Sequence, residues 1–399
     1  MSKAVYRIVN IVGARPNMMK VAPLLAEMRR HAELQPVLVH TGQHYDYSMS
    51  QVFFDQLNIP EPDYNLEVGS GTHHAQTGEI IKRFGELVQE DRPDMVLVVG
   101  DVNSTIACAL VAAKESIPVV HVEAGLRSFD RGMPEEINRV LTDAISDLLF
   151  TTEESGNQNL AAEGVSPDKV FFVGNLMIDS LVGALEVARR SALPLKLGVR
   201  KKGYAVLTLH RPSNVDDPQQ LARTLAALAE IAKEIPILFP VHPRTQQKIL
   251  ALGFIGTQAW DGETPIAASG IWTMPPASYL DFLGLVDSAA MVMTDSGGIQ
   301  EETTYLGIPC LTYRNNTERP VTVTMGTNRL VGADPGSLVK HATEVLRNGG
   351  SSNGSGSHVP PPLWDGKAAS RIVEVLRNYL KVRPTTTTAA ASLYSVPTG

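Results

Sequence analysis

Three acids stand where an apolar run stops. Asp101 follows Met95–Val99 and Gly100, and Glu123 follows Val119–Val120 within His121-Val122-Glu123-Ala124-Gly125-Leu126-Arg127. Glu135 opens a helical pattern after Met133-Pro134. Neighbouring carboxylates raise one another's pKa, which general acid–base work near neutral pH requires. Arg139 stands four residues past Glu135, on the same face of the expected helix. Arg139, Arg127 and His210 are the cations expected to hold some of these acids ionised while others stay protonated. A structural network around Arg139, with Glu136 as a helix-start charge, is the competing reading. It suits one of Glu135 and Glu136, but not Glu123 at an otherwise apolar strand end.

A second group of residues suits phosphate. Asp295-Ser296-Gly297-Gly298-Ile299-Gln300-Glu301-Glu302 reads as a strand end, a small-residue turn and a helix start. Ser296 is read as the N-cap, and Gly297 and Gly298 let an anion approach free backbone N–H groups at the positive helix end. Glu302, one turn on, is placed to take both hydroxyls of a ribose. A tight turn with no ligand is the bland alternative. Gly13-Ala14-Arg15-Pro16 lacks the dinucleotide fingerprint G-x-G-x-x-G, yet supplies Arg15 and, one turn later, Lys20. His210 and His242 lie beside arginines in strand-end loops, which favours an anionic ligand. There is no H-x-x-x-H, paired Cys, D-x-D or G-x-S-x-G, so neither a metal nor a serine nucleophile is expected. The chemistry indicated is metal-free proton transfer on a phosphorylated, nucleotide-linked substrate.

These residues need a frame that brings strand ends together. The runs Ile8–Val12, Val37–Val39, Met95–Val99, Val119–Val120, Ala205–Leu209, Ile237–Phe239 and Met291–Met293 read as buried parallel strands. Each ends in a loop of charged, His or Gly residues. Helical patterns at Met19–Arg30, Gln76–Glu90, Ser104–Glu115, Glu136–Ser146 and Glu154–Glu163 alternate with the first strands. Asp217–Lys233, Tyr279–Asp287 and Gly298–Leu306 do so later, so both halves read as βαβ units. Val170–Val173 closes the first unit and Leu176–Arg190 connects it to the second. The expected division is 1–174, joined by a returning helix at 368–382, and 175–362. Gly349–Pro362 reads as a flexible linker, and 384–399 as a disordered tail. Ligands bind outside the carboxyl ends of strands in open α/β sheets, so the reactive loops describe one cleft between two sheets.

Bulk properties agree. A chain of 399 residues exceeds one ordinary core. Its 43% hydrophobic and 19% charged composition is that of an ordinary globular protein. A formal charge of −7 argues against a nucleic-acid partner, though a local Arg/His cluster can still hold a small anion. The two cysteines, Cys108 and Cys310, lie in apolar stretches and read as buried reduced thiols. No signal pattern and no apolar run of about 20 residues is seen. A cytoplasmic protein without membrane insertion is expected.

Gly13-Ala-Arg-Pro, Thr41-Gly-Gln-His, Gly100-Asp101, His121-Val-Glu-Ala-Gly-Leu-Arg127, Pro134-Glu-Glu-Ile-Asn-Arg139, Leu209-His-Arg, Asp295-Ser-Gly-Gly-Ile-Gln-Glu-Glu302 and Thr317-Glu-Arg-Pro320 occur in this order. Together they resemble the non-hydrolysing UDP-N-acetylglucosamine 2-epimerases of bacteria, over Val5 to about Val382. The resemblance implies an α/β fold of two Rossmann-like domains with a cleft between them, the glycosyltransferase-B architecture. It implies reversible interconversion of UDP-GlcNAc and UDP-ManNAc through 2-acetamidoglucal, with no cofactor, in a homodimer. It makes Asp101, Glu123 and Glu135 the acid–base set, with Arg139 and His210 beside sugar and diphosphate. Arg15, Lys20, Ser296, Gly297, Gly298 and Glu302 resemble the UDP site, and Phe282 and Arg319 resemble positions near uracil and sugar. His242 joins the substrate-binding set.

The chain also departs from the family. Ala14-Arg15-Pro16-Asn17 replaces Thr-Arg-Pro-Glu. Gln43-His44-Tyr45-Asp46 replaces a Gln-His-Arg-Gln/Glu run, and Gly69–His74 holds no Arg, so strong activation by a second substrate molecule is not expected. Rival readings are a hydrolysing 2-epimerase, a 2-epimerase for a UDP-linked diacetamido uronic acid and, in another class, a glycosyltransferase or a nucleotide-sugar sensor. A transferase or sensor has no use for the acid cluster.

Overall fold

The computed structural model describes residues 5–43, 59–266, 269–349 and 358–382. His44-Tyr45-Asp46, most of the expected linker and the tail from 384 lie outside the described residues.

The first domain begins β1 (Tyr6–Val12), α1 (Arg15–Met28), β2 (Leu34–His40), β3 (Tyr64–Asn65), α2 (His73–Glu90), β4 (Met95–Val99) and α3 (Asn103–Lys114). It continues with β5 (Val119–Ala124), α4 (Pro134–Ile145), β6 (Leu148–Thr151), α5 (Glu154–Ala162) and β7 (Val170–Phe172). Helix α6 (Leu176–Ala188) leads to the second domain, which opens β8 (Ala205–Thr208), α7 (Pro218–Ile231), β9 (Ile237–Pro240), α8 (Pro243–Ala251) and β10 (Thr257–Ala259). Next come β11 (Ile271–Met274), α9 (Tyr279–Ser288), β12 (Met291–Thr294), α10 (Gly297–Leu306), β13 (Cys310–Thr312), β14 (Asn328–Leu330) and α11 (Pro335–Arg347). Helix α12 (Ala368–Val382) follows.

Each domain holds a seven-stranded parallel sheet, in the orders β3-β2-β1-β4-β5-β6-β7 and β10-β11-β9-β8-β12-β13-β14. Strand order reverses between β1 and β4 in the first and between β8 and β12 in the second, and crevices open at such switch points. One switch point carries the loops Gly13–Ala14 and Gly100–Asp101. The other carries His210–Arg211 and Asp295–Gly298. Eight of these fourteen strands, the seven loop-terminated runs and Val170–Val173, were expected. β3, β6, β10, β11, β13 and β14, and helices α8 and α11, were not read from the sequence.

Polar residues inside β5 explain its underestimated length. Its burial runs unbroken to Ala124, because His121 and Glu123 find charged partners inside the protein. Helix α6 joins the domains: Met177, Leu181 and Ala184 pack with Met19 of α1 and with Tyr279 and Leu283 of α9. The side chains of Ile372, Val373, Leu376 and Leu380 on α12 are buried among Ile8, Leu24 and Leu97 of the first core. Asp179 of α6 accepts the N–H groups of Ala368 (3.0 Å) and Ala369 (2.7 Å), capping α12. Both cysteines are free and buried, as expected. Among the described residues no helix is long and apolar enough to cross a membrane, and no group of three or more metal-ligating side chains occurs.

Candidate active site

Glu123 is the centre of the site. It is only 6% exposed and sits in β5 with φ +75°, a left-handed backbone that a non-glycine residue adopts at a cost of about 1–3 kcal/mol. The β5–β6 register shifts at this point, between Val122 and Ala124. The strained backbone aims the carboxylate between two cations. Lys20 Nζ of α1 donates to one oxygen, and Arg319 Nη2 of the second domain donates to the other at 2.7 Å. Burial disfavours the carboxylate form, but Lys20 and Arg319 outweigh it and hold the pKa below the ordinary range. Gly100, itself at φ +72°, passes so close that a Cβ there would lie 3.3 Å from Glu123 Oε2.

Asp101 follows that turn and pairs with Arg139 Nη2 of α4, while Asn138 Nδ2 donates to its backbone oxygen at 2.9 Å. Arg139 also pairs with Glu136, not with Glu135. Glu135 was placed on the same helical face as Arg139, but in α4 the i,i+3 residue Glu136 is the one that pairs with it, as the competing reading of a structural network had it. Glu136 further accepts Ser128 N (2.9 Å), Ser128 Oγ (2.8 Å) and Phe129 N (3.0 Å), so it is the structural acid of the two. Glu135 lines a cavity of about 310 Å³ with Gln43, Gln76, Asn103 and Asn138, and its charge reaches Arg211 of the second domain.

Arg127 and His210 do not hold these acids, contrary to expectation. Arg127 forks onto Asp143 (2.7 Å) and Glu163 (2.7 Å), while Asp143 also meets His121 Nδ1 (2.6 Å) and accepts Gly125 N (3.0 Å). His121 Nε2 lies 2.8 Å from the carbonyl of Gly100. This buried set ties the Asp101 turn to the Glu123 strand. His210, its side chain 56% exposed, pairs with Asp295 (2.9 Å) at the second switch point. Asp295 also accepts His210 N (3.1 Å), Arg211 N (2.9 Å) and Asn214 Nδ2 (3.0 Å).

Ser296 occupies the N-cap position of α10, but its hydroxyl makes no capping bond, which corrects the expected cap. The backbone N–H groups of the glycine turn therefore stay available to an anion. A Cβ on Gly297 would lie 2.7 Å from Glu318 Oε1 and 3.7 Å from Arg319 Nη1, so any side chain there must displace the Glu318 carboxyl from its ion pairs. Glu302, on the next turn, is 4% exposed. Phe282 packs, half-buried, against the same small core as Ile299 of α10. Arg15 is the first residue of α1. His242 is exposed, caps α8 with Nδ1 accepting Arg244 N (3.3 Å), and is not joined to the central network. Arg244 is occupied by Asp216 (3.0 Å). Lys20, read as a phosphate ligand, pairs with Glu123.

Four charged residues at the site were not singled out from the sequence. Arg319 binds Glu301 (2.7 Å) and Glu318 (3.2 Å) as well as Glu123. Arg314 donates to Glu318 (2.8 Å), while its Nε and Nη1 have no hydrogen-bond partner among the described residues. Together Arg319 and Arg314 push Glu318 down to about 2 against the effect of burial. Glu153, at the start of α5, completes the set. A signal existed for Glu318 within Thr317-Glu-Arg-Pro320, and for Glu301 beside Glu302; for Arg314 and Glu153 there was none.

Comparison with known proteins gives a consistent assignment. Residues 26–377 match the UDP-N-acetylglucosamine 2-epimerase family model. A UDP-N-acetylglucosamine 2-epimerase homolog of Methanococcus maripaludis is 44% identical over 93% of this chain and 99% of its own. The UDP-2,3-diacetamido-2,3-dideoxy-D-glucuronate 2-epimerase of Pseudomonas aeruginosa is 39% identical, covering 93% and 99%. The crystal structure of Methanocaldococcus jannaschii UDP-GlcNAc 2-epimerase in complex with UDP-GlcNAc and UDP superposes with a TM-score of 0.82, at 39% identity over 93% of this chain and 99% of that one. With two parallel sheets meeting at their switch points and a family match across nearly its whole length, the chain belongs to the UDP-N-acetylglucosamine 2-epimerase family of enzymes.

Proposed function

We propose that this enzyme interconverts UDP-GlcNAc and UDP-ManNAc, removing the C2 proton as UDP leaves C1 and adding UDP back to 2-acetamidoglucal after protonation on the opposite face. The observation that carries this reading is Glu123, a buried carboxylate held between Lys20 and Arg319 beside a glycine turn suited to a diphosphate. A diphosphate at Ser296–Gly298 competes for both cations. As they turn to it, Glu123 loses the charges that keep it a weak base, and gains basicity once substrate is in place. The same cations and the α10 N-terminus stabilise the charge that develops on the departing UDP.

Transfer on two faces of C2 needs two groups. We assign them to Glu123 and Asp101, which flank Gly100, with Glu135 as the third acid at the cleft and Arg139 and His210 beside the sugar and diphosphate. We assign Arg15 and Lys20 of the first domain to the diphosphate, Glu302 to the ribose, Phe282 to the uracil, Arg319 to the sugar and His242 to the outer part of the substrate site. We assign residues 1–174 with 368–382 to one domain and 175–362 to the other, and closure between them retains the glucal and excludes water.

Turnover of UDP-GlcNAc in deuterated water tests this. The expected product is UDP-ManNAc carrying deuterium at C2, since the removed proton reaches a side chain that exchanges with solvent. Glu123→Gln and Asp101→Asn should each lower turnover by about 10²–10⁴-fold while retaining UDP binding. Product without deuterium at C2 refutes the mechanism. Release of UDP with free ManNAc identifies a hydrolysing enzyme, and preferential turnover of UDP-2,3-diacetamido-2,3-dideoxy-D-glucuronate aligns the chain with its Pseudomonas relative.

A further inference from the structure

Arg319 meets three acids: Nη2 donates to Glu123 (2.7 Å) and Nη1 to Glu318 (3.2 Å), while Nε lies 2.7 Å from Glu301 as an ion contact without hydrogen-bond geometry. Glu123 and Glu318 each have a second cation, Lys20 and Arg314. Glu301 has none in contact. Asn175 Nδ2 donates to its Oε1 at 2.8 Å, and its Oε2 has no hydrogen-bond partner among the described residues. Glu153, from the first domain, accepts Ser155 Oγ (2.6 Å) and the N–H of Val321, and its Oε2 is equally bare. Both residues are buried, 1% and 2% exposed. One guanidinium cannot compensate every carboxylate around it, so burial disfavours the ionised form of the acids without a cation of their own.

We propose that Glu153 and Glu301 are positioning residues for the reaction: two buried, incompletely partnered carboxyl groups at the domain seam that keep Arg319 on Glu123 while the cleft is empty and take up a further proton when a diphosphate claims Arg319. The proposal rests on the reading of Ser296–Gly298 as the diphosphate site. Burial lifts Glu153 to about 7, against the opposing pull of Arg319 and with a further push from Glu301. Glu301 is raised by burial and by Glu123, while Arg319 and Lys20 work the other way. These are the charged groups that face the pair from α1, β5, α10 and the loop before Pro320. Glu301 stands one turn past Gly297 on α10, and Arg319 Nη1 lies 3.7 Å from the place of a Gly297 Cβ. An anion at the turn thus adds negative charge beside Glu301 and draws away its only cation. Both effects favour the protonated pair, so by linkage binding takes up a proton from solvent.

Calorimetric titration of the full chain with UDP, in two buffers of different ionisation enthalpy, counts the protons taken up per ligand. Wild type should take up about half a proton near pH 7, more at about pH 8 and almost none below about pH 6. Glu153→Gln should bind UDP with that uptake abolished, and Glu301→Gln with it reduced. Subtracting the variant curve removes the contribution of UDP's own terminal phosphate. UDP-GlcNAc, whose diphosphate has no proton to exchange in this range, serves as a second titrant and decides the matter on wild type alone should a variant not fold. Equal uptake in wild type and variants, or no uptake with UDP-GlcNAc, overturns the proposal. Failure of wild type to bind UDP at all refutes the diphosphate reading instead.

Discussion

Replacing Arg319 by methionine removes the one cation shared by Glu123, Glu301 and Glu318, and the consequence should depend on pH. Breaking a buried ion pair from one side costs about 3–5 kcal/mol, because the abandoned charge stays buried. Glu123 has its folded pKa held below the ordinary value, so its stabilisation is present above the unfolded pKa and is lost as pH falls. In the variant that pKa rises, and the penalty grows as pH climbs past it. For domains of this size 1 kcal/mol is worth about 2–4 °C in Tm. Thermal melts should therefore show the variant about 6–20 °C below wild type at about pH 8, and about half that deficit or less at about pH 5. Arg319→Lys keeps the charge but reaches only one of three acids, so it should fall between the two and retain little of the pH dependence. An equal deficit at both pH values would mean that Arg319 acts by packing alone and that the charge argument is wrong.

Two further substitutions test the nucleotide site. Glu302→Ala should weaken UDP by about 1–3 kcal/mol, the scale of lost charge-assisted hydrogen bonds, and unchanged affinity by calorimetry would remove Glu302 from the ribose. Gly297→Ala places a methyl 2.7 Å from Glu318 Oε1. It should cost about 1–3 kcal/mol of stability and weaken UDP as well; a variant that melts and binds like wild type would show that the turn has slack.

The parallel-sheet architecture could be read from the sequence because buried parallel strands are continuous apolar runs, as in Met95–Val99. Cys310–Thr312 and Asn328–Leu330 are three residues each and are broken by Thr312, Asn328 and Arg329, so they show no continuous apolar run. Glu123 stood out because a carboxylate in an apolar setting is costly unless a partner waits. Its partner Arg319 lies 196 residues away, and no local spacing reveals such a meeting. Lys20 resembled a phosphate ligand by its place after Gly13, and its pairing with Glu123, 103 residues on, is equally invisible in local spacing. Adjacent Glu301 and Glu302 project about 100° apart on a helix, and the pairing of Glu301 with Arg319 is not something the sequence alone shows.

The capped return of α12 onto the first sheet bears on the order in which the chain is made. Domains generally fold as units during synthesis, earlier ones first. Here the residues that finish the second core, through Val345, leave the ribosome before Ile372, Val373, Leu376 and Leu380, which finish the first. The older domain is the last to be sealed. Until Ala368 and Ala369 reach Asp179, the flank of the sheet that carries Asp101 and Glu123 lies open, and a ribosome stalled before that point holds a chain whose later half is complete and whose earlier half is not.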